Sequence, residues 1–116
     1  MTKLNPFTVE RPWGSFRQFT HNGESTVKLH WVKPGEKTSL QTHEKRDEFW
    51  RVVSGSGKVQ VGEEEFDAAP GKEYFAPAGV KHRLCAGAEG MMLIEIATGD
   101  FDEEDITRYE DKYGRA

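Results

Sequence analysis

The chain contains a single cysteine, Cys85. A lone thiol excludes an internal disulfide framework and a cysteine-rich zinc site, so any metal must be held by imidazole, carboxylate or amide groups. Cys85 itself reads as a small buried residue. Long apolar runs are also missing. The longest are a few residues, as in Met91-Met92-Leu93-Ile94, against the ~18–20 that a membrane helix needs. Met1-Thr2-Lys3-Leu4-Asn5-Pro6 has no apolar core of the kind a secretory leader carries, so a cytoplasmic protein without membrane partners is expected. A basic excess is absent too. The formal net charge is −4, which disfavours a nucleic-acid partner. That charge is concentrated in residues 100–116, where Asp100, Asp102, Glu103, Glu104, Asp105, Glu110 and Asp111 outnumber Arg108, Lys112 and Arg115. Such an acidic segment reads first as a solvated face, and its Tyr113-Gly114-Arg115 end could dock against the body of the protein.

What is present is turn chemistry at short intervals. Pro12, Gly14, Asn22-Gly23, Pro34-Gly35, Gly55, Gly57, Gly62, Pro70-Gly71, Pro77, Gly79, Gly87 and Gly90 separate short runs rich in β-formers. The runs cover residues 15–20, 26–33, 48–53, 58–61, 65–67, 73–75, 82–85 and 91–98. Strands at this spacing indicate an all-β sandwich or barrel. Asn22-Gly23 reads as a hairpin turn. Residues 102–109 are the one helical candidate, with acids placed where a helix dipole favours them. The 116 residues allow one domain: an arm at about 1–14, a body at about 15–99 and the acidic segment 100–116.

One constellation carries chemistry. Gln41 and His43 are two apart, so on a strand they project from one face. Glu48 follows a polar turn, and Pro77-Ala78-Gly79 turns the chain to deliver His82. Neutral imidazole, carboxylate and amide oxygen together suit a divalent metal. Zinc, iron, manganese, cobalt and nickel all suit this set, which does not select one. His21 and His30 read as strand-surface residues.

The spacing resembles the two signature motifs of the cupin superfamily. The first is a Gly, five residues, His-x-His, four residues, Glu, six residues and Gly. Gly35, Gln41, His43, Glu48 and Gly55 match it, with Gln41 where the first His usually stands. The second is matched by Gly71, Pro77, Gly79 and His82, and Ala86 stands where Asn usually closes it. Gln in that place, with Arg11-Pro12-Trp13-Gly14, Ser39-Leu40-Gln41, Ile94-Glu95-Ile96 and Asp111-Lys112-Tyr113-Gly114-Arg115, is similar to the type II phosphomannose isomerases. In that family the cupin usually follows a guanylyltransferase domain, and these residues contain none.

The resemblance implies a small all-β cupin barrel, with the helix appended, holding one metal through Gln41, His43, Glu48 and His82. It implies interconversion of mannose 6-phosphate and fructose 6-phosphate. Arg11, Arg46, Trp50 and Lys28 are the candidate contacts to the sugar phosphate. The proton-shuttling base stays open among Glu44, Asp47, Lys72 and His82. A non-catalytic cupin that binds or senses a sugar phosphate, and a metal-dependent dioxygenase, are the alternatives. A homodimer is expected, since sheet edges need covering, with residues 1–14 as a packing element.

Overall fold

The computed structural model describes residues 4–116, and among them there are nine strands and no helix. Strands β1 (Phe7–Arg11) and β2 (Gly14–Gln18) form a hairpin of their own, whose tip is Pro12-Trp13. The other seven are β3 (Thr26–Val32), β4 (Leu40–Thr42), β5 (Arg46–Val61), β6 (Glu64–Ala68), β7 (Glu73–Ala76), β8 (His82–Gly99) and β9 (Thr107–Glu110). Every pairing is antiparallel.

Two long strands organise the domain. Expected as four separate pieces, residues 48–53 with 58–61 and 82–85 with 91–98 run continuously as β5 and β8. They pair along their whole lengths, from Arg46 opposite Gly99 to Val61 opposite His82. The ladder slips between Val52 and Ser54 and again between Gly55 and Gly57. Irregularities of this kind bend a strand and let it change partners. Accordingly the first half of β5 and the second half of β8 join β7 and β3 in one sheet. The other halves join β6, β4 and β9 in a second. Strands β3, β6, β7 and β9 each pair with one neighbour, so hydrogen bonding does not run unbroken around a barrel among the described residues.

The inward face of β5 changes character along its length. Arg46, Glu48, Trp50 and Val52 alternate inward, all buried. From Trp50 onward the interior is apolar: Trp50, Val52, Val59, Leu84, Met91 and Leu93 form the core. Burying side chains of this size stabilises the fold by ~1.5–3 kcal/mol each. Toward Arg46 the interior is polar. Strand β3 repeats the pattern with the sides exchanged: Lys28 and His30 point inward, while Val27, Leu29 and Trp31 are exposed.

Two expectations fail. Residues 102–109 are not a helix. Asp102 Oδ1 accepts the Glu104 N–H at 2.9 Å and the Asp102 carbonyl accepts Asp105 N–H at 3.0 Å, forming a tight turn. Thr107–Glu110 then pairs with β4 as an edge strand. Of the acids that resembled a helix start, Asp102 closes this local turn, Glu103 pairs with Lys28, and Asp105 accepts the distant Glu44 and Lys45 N–H groups. Asn22-Gly23 is not a hairpin turn either: β2 and β3 belong to different sheets, and the loop between them only crosses from one to the other. Among the described residues no helix is long and apolar enough to cross a membrane.

Candidate metal centre

The polar end of the interior is assembled from both sheets. Glu48 comes from β5, His82 from the start of β8, Gln41 from β4 and His43 from just beyond it. Gln41 and His82 are direct cross-strand partners. The two sequence motifs are also tied by backbone: Gly79 N–H donates to the His43 carbonyl at 2.7 Å, and Ala78 N–H to Asp47 Oδ1 at 2.8 Å. The Pro77–Gly79 turn thus holds His82 against the first motif.

His43, Glu48 and His82 offer donor atoms that all lie within 4.8 Å of one another, and all three residues are buried. His43 Nε2 is 3.2 Å from Glu48 Oε2, and His82 Nε2 is 3.7 Å from Glu48 Oε1. Each imidazole spends its Nδ1–H on a carbonyl, His43 on Asp105 at 2.7 Å and His82 on Val80 at 3.2 Å. That fixes the tautomer and turns both Nε2 lone pairs inward, the usual preparation of metal-binding histidines. Asp105 is itself held, because its carboxylate accepts the Glu44 and Lys45 N–H groups at 3.0 Å. Asp105 thus ties the acidic C-terminal segment to the site, while Asp100, Asp102, Glu103, Glu104 and Glu110 remain exposed.

The electrostatics fit a cation. Burial raises the Glu48 carboxyl to about 7, and the charge of nearby Glu95 adds to the effect. Burial and the neighbouring His43 lower His82 to about 4, and burial also lowers His43. Two neutral imidazoles and a buried carboxyl pushed toward protonation are a donor set that a divalent ion relieves. Metal uptake by the metal-free protein should displace one proton, that of Glu48. Affinity should therefore rise about tenfold per pH unit between pH 5.5 and 6.5 and flatten above about 7. Isothermal titration across that range reads the slope. A hundredfold rise per unit would mean that an imidazole must be deprotonated as well.

The remaining expected residues divide. Gln41 is at the centre, but its Oε1 accepts the Ser39 hydroxyl at 2.6 Å while Nε2 faces His43 Nε2 at 3.3 Å and His82 Nε2 at 3.5 Å. As drawn it is a donor to the imidazoles; an oxygen donor there requires the amide to turn end for end. Arg46 is buried and fully engaged: Nε donates to Glu48 Oε2 and Nη1 to the Asp102 carbonyl, both at 3.0 Å. Nη2 points at His43 Nε2 at 3.3 Å, and the guanidinium lies over Phe101. Trp50 Nε1–H donates to Glu48 Oε1 at 3.2 Å. Arg46 and Trp50 thus steady Glu48. Lys28 lines the cavity above the centre and pairs with Glu103 at 2.5 Å. Arg11 is elsewhere, exposed at the tip of the β1–β2 hairpin and stacked on Phe16.

Sequence reasoning missed three cavity residues. His30, assigned to the surface, faces inward and its Nε2 is 3.0 Å from Glu95 Oε1. Glu95 is 5% exposed, and its Oε2 has no donor in hydrogen-bond geometry. The signal was a charge in the middle of the apolar run 91–97. Arg108, on β9, lines the same cavity with its Nε buried and unpaired. The cavity measures about 510 Å³, within the ~300–1,000 Å³ of small-molecule sites. Lys28, Lys33, Lys37, Arg108 and Arg115 also line it, alongside Glu36 and Glu103; Lys28 pairs with Glu103 and Arg115 with Asp111.

Two packed antiparallel sheets with a buried His–Glu–His cluster at one end define a cupin. Solved cupins superpose on it: capsular polysaccharide assembling protein CapF from Staphylococcus aureus has a TM-score of 0.67 at 22% identity, covering 91% of this chain and 34% of that one. Oxalate decarboxylase from Bacillus subtilis also has a TM-score of 0.67, at 24% identity, covering 74% and 24%. Within the cupins, the chain belongs to the family described as mannose-6-phosphate isomerase C-terminal, whose model matches residues 3–111. It is 42% identical to xanthan biosynthesis protein XanB of Xanthomonas campestris pv. campestris, over 92% of this chain and 23% of that protein. It is 39% identical to alginate biosynthesis protein AlgA of Pseudomonas aeruginosa, over 96% and 24%. A mannose-1-phosphate guanylyltransferase of Salmonella montevideo is 38% identical over 92% and 23%. The chain spans about a quarter of the length of these relatives.

Proposed function

We propose that this chain is a metal-dependent sugar-phosphate isomerase that interconverts mannose 6-phosphate and fructose 6-phosphate. The observation that carries the reading is the pairing of two features in one cavity: His43 and Glu48 of the buried His43–Glu48–His82 cluster line it, and its lining also carries Lys28, Lys33, Lys37, Arg108 and Arg115. A divalent cation at the cluster, zinc by preference, would polarise the C1 and C2 oxygens of an open-chain sugar and stabilise negative charge as it develops. The residues of the chain do the rest. His43, Glu48 and His82 would hold the ion, with Arg46 and Trp50 keeping the Glu48 carboxylate in place. Arg108, with an unpaired buried Nε–H, would take the phosphate together with Lys28 and Arg115, since a guanidinium suits bidentate phosphate contacts.

The test is aldose–ketose exchange with mannose 6-phosphate. Chelated protein should be inactive, and zinc should restore a turnover in the range of ~1–10³ per second common to enzymes. Absence of exchange in a metal-loaded sample would reject the isomerase reading. Thermal stabilisation by mannose 6-phosphate without turnover would then mark a binding module, and iron-dependent oxygen consumption would mark a dioxygenase.

A further inference from the structure

The reading above leaves the proton transfer without an owner. Of the groups considered from sequence, Asp47 is spent on the Ala78 N–H, His82 belongs to the metal cluster, and neither Glu44 nor Lys72 lines the cavity. Glu95 does line it. Its position follows from the strand registers: Glu95 on β8 lies between Lys28 on β3 and Trp50 on β5 as direct partners. The inward phase that buries Leu93 and Ala97 therefore turns the Glu95 carboxylate into the interior beside Glu48.

The two carboxylate oxygens of Glu95 have different surroundings. Oε1 is 3.0 Å from His30 Nε2, a contact that orients the group. Oε2 is buried without a donor in hydrogen-bond geometry, and the carboxyl lies against that of Glu48. Native proteins rarely bury a carboxylate oxygen in this way, because the missing donor costs the full desolvation of the atom. The cost is tolerable where a ligand supplies the partner. Glu95 also falls outside the His43–Glu48–His82 cluster, which leaves it unspent when the metal site is filled.

We propose that Glu95 is the base that carries the proton between C2 and C1 of the sugar, and that His30 is its positioning residue. The proposal rests on the isomerase reading. Glu95 Oε2 accepts the proton from C2 of the open-chain aldose. The electron pair of that C–H bond becomes the C1=C2 bond, and the carbonyl π pair moves to O1, giving an enediolate. Glu95 then returns its proton to C1, the electron pair for the new bond coming from C1=C2. The O2–H pair closes the C2 carbonyl, and the O2 proton ends on O1. No atom or electron is gained or lost, and no co-reactant is needed. Because one carboxylate serves both carbons, the proton is transferred on one face of the sugar.

The experiment compares the zinc-loaded full chain with its Glu95→Gln variant, which preserves volume and removes basicity. The expected result is a kcat lower by about 10²–10⁴-fold, the range for losing a general base, with KM within about threefold. Deuterium from D2O should enter C2 or C1 of the sugar with wild type and not with the variant, as read by NMR. Zinc content and the calorimetric affinity for mannose 6-phosphate should match wild type. His30→Gln should lower kcat by about 10–100-fold, as for partners that orient a reacting group, with KM likewise unchanged. An active wild type with an equally active Glu95→Gln overturns the assignment and leaves the isomerase reading standing. Loss of zinc or of sugar-phosphate affinity in Glu95→Gln also overturns it, since the residue would then be holding the site together. A metal-loaded wild type with neither isomerisation nor deuterium uptake overturns both.

Discussion

Glu48→Gln is expected to weaken divalent-metal binding by more than about 100-fold, beyond the 10–100-fold typical of residues one contact removed from the ion. The variant keeps the shape of the side chain and an oxygen that can accept from Arg46 Nε. It removes the only charge in the His43–Glu48–His82 cluster. The fold should survive. Glu48 is pushed toward protonation in the metal-free protein by burial and by Glu95, so neutralising it relieves repulsion even as it weakens the buried contact with Arg46. The metal-free melting temperature should stay within about 5 °C of wild type, a change of ~1 kcal/mol for a domain of this size. Titration with zinc or cobalt, with elemental analysis of the purified protein, reads the affinity. A loss smaller than tenfold would mean that Glu48 does not bind the ion.

The second large effect is structural. Gly55→Ala should destabilise the protein by ~3 kcal/mol or more, summing backbone strain and overpacking. Gly55 sits at φ +85°, and a Cβ there would meet the Gly90 carbonyl oxygen at 2.1 Å. Neither partner is a flexible side-chain end; the obstacle is the backbone of β8. Gly57 is equally tight, with the Cys85 carbonyl oxygen 2.0 Å from its would-be Cβ. These two glycines are where β5 passes from one sheet to the other, so a shift there moves Glu48 relative to His82. Denaturant unfolding measures the loss, and metal titration should show weakened binding alongside it. Stability within 1 kcal/mol of wild type would show that the crossing has room the structure does not contain.

Much of the fold was legible in the sequence because turn residues act locally. Gly35, Gly55, Gly71 and Gly79 mark real reversals or bulges with positive φ, and the β-rich runs between them became strands. The family was legible because the spacing of Gln41, His43, Glu48 and His82 and the motifs around it resemble those of a known family, and such motifs are read along the chain. What failed were statements about partners. The acids of residues 102–109 have a helical preference only in isolation. In the folded protein Asp105 finds the backbone of Glu44 and Lys45, and Thr107–Glu110 finds the edge of β4. Arg11 sits in a short motif similar to one in the type II phosphomannose isomerases, and the fold places it beside the tip of a separate hairpin.

The sequence by itself determined an all-β chain, its membership among the phosphomannose isomerase cupins, and the residues whose donor atoms can meet at a metal. The all-β class and the donor set follow from periodicity, turn chemistry and spacing, and the family from the resemblance of its motifs; none of these needs knowledge of what lies across the sheet. Only the tertiary structure decided which face of each strand looks inward. Trp31, Leu29 and Val27 would be the natural inward set of β3, yet Lys28 and His30 hold that side. The reason is the pairing of β3 with β8: that register sets Lys28 opposite the buried Glu95 and brings His30 Nε2 to its carboxylate, and a slip of one residue would exchange the two faces of the strand.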